Sequence, residues 1–109
     1  VTPAPAQWVA GCVAAQDALE AALVGLSDQA ARAPSRLPGW SVGHVLTHIA
    51  RNAESVVRRL EGAARGELLD QYAGGLEQRS SDIAAGAGRP ADQLAADVAV
   101  TSAAVARVM

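Results

Sequence analysis

The sequence predicts an all-α protein, and three observations carry that prediction. Half of the 109 residues are apolar, yet aromatic residues make up only 3%, Phe is absent and Ala fills 26 positions. Thin side chains of this kind let helices approach closely, whereas a β-sandwich draws on bulky β-branched and aromatic pairs. Apolar residues also recur at alternating spacings of four and three along most of the chain, which is the period of a helix face. The length suits one domain with a single core.

Between residues 5 and 27, Trp8, Cys12, Ala15, Leu19, Ala22 and Leu26 fall on one face and predict a first helix. Cys12 lies on that stripe, where a free cysteine acts as a small apolar filler. Pro34, Ser35, Pro38 and Gly39 predict a loop over residues 27 to 39. Ser41 is an N-cap ahead of Val42, Val45, Leu46, Ile49, Ala53, Val56 and Leu60, a narrow stripe on a second helix that Gly62 can stop. Gly62, Gly66, Gly74 and Gly75 predict an irregular connection over residues 61 to 75. A short helix is expected over residues 76 to 85, ended by Gly86, Ala87 and Gly88. Pro90 suits the first turn of a last helix bearing Leu94, Val98, Thr101, Val105 and Val108. Three long helices and one short one predict an antiparallel bundle. Narrow stripes suit a four-helix core, and the last helix has no C-cap before Met109, so the chain is expected to be part of a longer protein.

Nine arginines, no lysine and eleven acidic residues give a net charge of -2. No global field is present to hold a polyanion, so nucleic acid is not an expected partner. Schiff-base chemistry is excluded without lysine. One cysteine cannot form an internal disulfide or a cysteine metal cluster. Residues 1 to 6 lack a basic and then apolar leader pattern, and no apolar run approaches the roughly 20 residues of a membrane span. A cytoplasmic protein is expected.

Both histidines, His44 and His48, lie four apart on the second helix, the spacing at which two imidazoles can reach one metal ion. At about 100° per residue His48 lies about 120° from Val42 and His44 about 160°, so His48 flanks the buried stripe and His44 is nearer solvent. The alternative is a surface His44 and a half-buried His48 bonded to a backbone carbonyl or to Asn52. A catalytic zinc site takes three protein ligands, and Glu54, Asp70, Asp82 and Asp97 are the other carboxylates within consideration. Arg58 and Arg59 read as a solvated face. Gly86-Ala87-Gly88 follows no strand and is no dinucleotide loop. Ser80 and Ser81 lack an assigned base, and Arg79 stands in a polar stretch.

Two phrases add a resemblance. The run Leu-Pro-Gly-Trp-Ser-Val-Gly-His-Val-Leu-Thr-His-Ile-Ala-Arg-Asn-Ala at residues 37 to 53 resembles the segment that opens the metal-binding domain of mycothiol-dependent maleylpyruvate isomerases. The stretch from Tyr72-Ala73-Gly74-Gly75 through Arg79 and Asp82-Ile83 to Gly86-Ala87-Gly88-Arg89-Pro90 resembles that family's next block. The resemblance implies a DinB-like four-helix bundle that binds a divalent metal, usually zinc, with His48 as the first ligand and His44 as a recurrent histidine outside the ligand set. It implies that a glutamate and a histidine on a later helix complete the site, so that residues 1 to 109 form the N-terminal part of the domain. Arg79 matches an arginine that such proteins use on substrate carboxylates. The chemistry that the resemblance implies is addition of zinc-bound mycothiol thiolate to an electrophile; in maleylpyruvate the addition permits rotation about the former double bond, and elimination of the thiolate then leaves the trans isomer. The expected function is therefore a mycothiol-using isomerase or thiol S-transferase acting on a small electrophilic or dicarboxylate substrate. The alternative is a non-catalytic binding, regulatory or dimerisation module, in which a second copy covers the exposed stripe.

Overall fold

The chain forms five helices in the computed structural model, which describes residues 5–109. These are α1 (Ala6–Leu23), α2 (Asp28–Arg32), α3 (Val42–Ala64), α4 (Gly75–Ala87) and α5 (Ala91–Val108). No strand occurs among the described residues, and the one isolated bridge joins Pro34 to Ser41.

The core is built from Ala, Leu and Val, with Ala31, Leu46, Ala91, Leu94 and Val98 buried together and Leu19, Leu23, Leu26, Val42 and Ile49 packed around them. Helix α3 is its axis, contacting α2, α4 and α5. Arg89 reaches Thr47 and Asp97 pairs with Arg51, so positions advance together and α3 runs parallel to α5. Against α4 the order reverses, with Gly43 on Ala87 and Thr47 on Gly86.

That second contact widens the expected stripe, of which Leu46 and Ala53 are buried and Val42 and Ile49 pack on the core. The buried positions of α3 are Gly43, Leu46, Thr47, Ala50, Ala53, Ser55 and Gly62, while Leu60 is exposed. Small residues are inside because α4 approaches closely: a Cβ at Gly43 would strike the Ala87 carbonyl, and one at Gly86 would lie 2.6 Å from Thr47 Cγ2. Thr47 is fully buried and its hydroxyl donates to the Gly43 carbonyl at 2.8 Å, so its polar atom is satisfied within the helix.

Two other expectations are corrected. Helix α1 has no buried residue; Trp8 is 66% exposed and Cys12 is exposed rather than an apolar filler. The period defines a face, but only the C-terminal part of α1 and the following turn, through Leu19, Leu23 and Leu26, meets the core. Residues 27 to 39 are also not wholly a loop. Ser27 caps α2 by accepting from the Ala30 amide at 3.0 Å, and α2 then ties two distant segments together. Arg32 donates to the carbonyls of Ala87 and Arg89, and Asp28 Oδ1 accepts from the Ala91 amide at 2.7 Å. Asp28 thus caps α5 across the chain, where Pro90 occupies the N-cap position and has no capping side chain. Helix α4 extends to Ala87, so Gly86 lies within it and Gly88 ends it.

Candidate functional site

The site begins at the N-terminus of α3. Ser41 Oγ accepts from the His44 amide at 3.2 Å, and His44 Nδ1 accepts in return from the Ser41 amide at 3.2 Å. This is a reciprocal capping box with histidine where Glu or Gln usually stands. The Ser41 hydroxyl also lies 2.8 Å from His44 Nδ1. His44 is therefore half-buried and employed in closing the helix, rather than turned to solvent.

One turn later His48 meets a different environment. Its Nδ1 lies 3.2 Å from Arg79 Nη2, which α4 brings across from 31 residues away. The partner is thus neither a backbone carbonyl nor Asn52. A guanidinium only donates, so Nδ1 accepts and the neutral ring carries its proton on Nε2. Burial, and secondly the Arg79 charge, hold the His48 pKa below its ordinary value, which keeps the ring neutral. Trp40 roofs both imidazoles, stacked on His44 at 6.1 Å between centroids and tilted over His48 at 5.6 Å. Tyr72, from the connection before α4, faces the Arg79 guanidinium at 5.4 Å from its ring centroid. Beyond Arg79 opens a cavity of about 220 Å³ between α3, α4 and that connection.

The structure separates the other candidates. Asp97 is held by Arg51 and Arg89 at 2.6 and 2.9 Å, and Glu54 pairs with Arg51 at 3.1 Å. Asp82 lines the cavity and accepts from Gln78 at 2.7 Å, whereas Asp70 is exposed. Cys12, Arg59, Ser80 and Ser81 are exposed on other surfaces. Arg58, read from the sequence as part of a solvated face, instead lines the cavity. Among the described residues no three His, Cys, Asp or Glu side chains come together to hold a metal. His48 is a single candidate donor, and one imidazole does not make a metal site. Sequence reasoning also passed over Trp40 and Tyr72 as site residues; an aromatic in each quoted phrase was the available signal.

Residues 12–109 match the family described as mycothiol maleylpyruvate isomerase N-terminal domain. The chain belongs to this family. A crystal structure of a mycothiol-dependent maleylpyruvate isomerase, a histidine-to-alanine variant, superposes with a TM-score of 0.85 at 21% identity. The match covers 96% of the present chain and 44% of that one, so the family chain spans less than half of its solved relative, and the likeness is one of helical fold. No curated protein matches the chain. Among the described residues no helix is long and apolar enough to cross a membrane.

Proposed function

We propose that residues 1 to 109 are the N-terminal part of a DinB-like metal-binding bundle. In this reading the whole protein is a cytoplasmic, mycothiol-using isomerase of the maleylpyruvate type or a thiol S-transferase. His48 is the first ligand of a divalent metal, with zinc the preferred candidate, and the remaining ligands come from outside the described residues. Arg79 binds a carboxylate of a small electrophilic substrate. The observation that supports this most is the meeting of His48 and Arg79 at 3.2 Å beside a cavity.

A divalent metal, when bound, supplies a Lewis acid that keeps a thiol ionised near neutral pH. The chain's own residues do the positioning. Tyr72 orients the Arg79 guanidinium, whose planar fork matches a carboxylate. Trp40 shields one side of both imidazoles from water. Because Arg79 occupies His48 Nδ1 and leaves the proton on Nε2, Arg79 has to release the ring before either nitrogen can act as a ligand.

A non-catalytic helical module, such as a dimerisation module, is the second reading, favoured by the exposed Trp8 and by an α1 with no buried residue. Elemental analysis and a mycothiol-dependent turnover assay on the protein that carries this domain decide between them. One equivalent of metal with turnover supports the enzyme, and metal-free protein with no turnover supports the module. The Arg79→Ala variant is expected to lose turnover of carboxylate substrates while keeping its metal.

A further inference from the structure

The cavity beyond Arg79 is lined by three arginines and two carboxylates, and among the described residues two of the arginines have no carboxylate partner. Arg51, Glu54, Arg58, Tyr72, Arg79 and Asp82 are among its lining residues. Arg51 is committed, with both Asp97 oxygens at 2.7 and 2.6 Å and Glu54 at 3.1 Å. Glu54 pairs with Arg51, whereas Asp82 accepts only from the uncharged Gln78 amide. Arg58 and Arg79 make no ion pair among the described residues. Among the described residues each has one hydrogen bond to protein, Arg58 to the Asp70 carbonyl and Arg79 to His48, out of five N–H donors.

Arg58 is also held in place. It and Ser55, both on α3, donate to successive carbonyls, Asp70 and Gln71, of the connection that carries Tyr72. Both guanidiniums line the same cavity with most of their donors free, and each can offer a planar pair of N–H groups to a carboxylate. At about 220 Å³ the cavity lies below the ~300–1,000 Å³ usual for drug-sized ligands, which suits a compact metabolite.

We propose that Arg58 is the second carboxylate-binding residue of this cavity, acting with Arg79, so that the site selects small ligands bearing two carboxylates over those bearing one. The proposal rests on the reading of Arg79 as a carboxylate binder and adds the residue that sets specificity. If Arg58 were only an anchor for the connection, its loss would disturb Tyr72 and Arg79 and weaken every anionic ligand alike.

Succinate and butyrate have the same carbon count and differ by one carboxylate, which makes them suitable probes. Each is titrated at constant low ionic strength against the protein, followed by backbone amide and arginine Nε–H resonances. Succinate is expected to bind at least about tenfold more tightly than butyrate. In Arg58→Gln that ratio falls to about one while butyrate affinity holds within about twofold, and Arg58→Lys recovers part of the ratio. An unchanged ratio in Arg58→Gln, equal weakening of both probes, or no succinate binding by the wild type overturns the proposal. In Arg79→Gln butyrate binding is expected to be lost. Its retention overturns the Arg79 reading and the pairing together, whereas an unchanged ratio in Arg58→Gln removes the pairing alone.

Discussion

The first and second turns of α3 carry the same side chain in different company. His44 exchanges hydrogen bonds with Ser41 and spends its Nδ1 on its own helix terminus. His48, on the same helix face, spends its Nδ1 on Arg79 of another helix, and it is Arg79 that lines the cavity. Both lie against Trp40, so aromatic cover does not distinguish them. What distinguishes them is the neighbour. His44 has a local partner on its own helix terminus, while the partner of His48 is brought by tertiary packing.

Substitutions can break or sharpen this contrast. The largest effect on stability is expected where α3 meets α4, since that contact brings Arg79 to His48. Gly43→Ala places a Cβ against the Ala87 carbonyl, with the Ala31 carbonyl at 3.3 Å, and backbone atoms on both sides cannot move aside cheaply. We expect a loss of about 1–3 kcal/mol in urea unfolding, together with loss of the His48–Arg79 contact by NMR. Next come the cap residues. Ser41→Ala is expected to cost about 1 kcal/mol, and His44→Ala up to about 1 kcal/mol, with the Arg79 contact intact in both. A His44→Ala variant that released Arg79 from His48 would show the two turns to be coupled.

The smallest effect is on pH dependence. The folded-state pKa of His48 lies below its ordinary value of 6.5, from burial first and Arg79 second. The unfolded chain therefore takes up the proton at higher pH than the folded one. This contribution to stability is complete above pH 6.5 and is lost as pH falls below it, until the folded ring is protonated as well. Denaturant melts in the presence of a chelator should show that decline. His48→Gln removes this part of the slope, and His44→Gln keeps it.

Much of this frame can be read from the residues. Ser41 and Pro90 mark where α3 and α5 begin, and the spacing of Leu94, Val98, Thr101 and Val105 marks the face of α5 that is buried. Helix α2, with five residues, is too short to show a period. The face of α3 toward α4 escaped because Gly43, Thr47 and Ala50 are small rather than hydrophobic, and their burial records close approach instead of apolar patterning. On α1 the period was visible, but whether a neighbour covers Trp8 and Cys12 is a property of packing. Within the site, spacing picked out the two histidines, whereas the proximity of Arg79 to His48 and of Tyr72 to Arg79 depends on contacts between elements.

Zinc titration by calorimetry of the protein that carries this domain, as wild type, His48→Ala and His44→Ala, tests the contrast most directly. His48→Ala is expected to weaken zinc binding by at least about a hundredfold, while His44→Ala stays within a few-fold of wild type. Equal losses in the two variants, or a loss confined to His44→Ala, would contradict it.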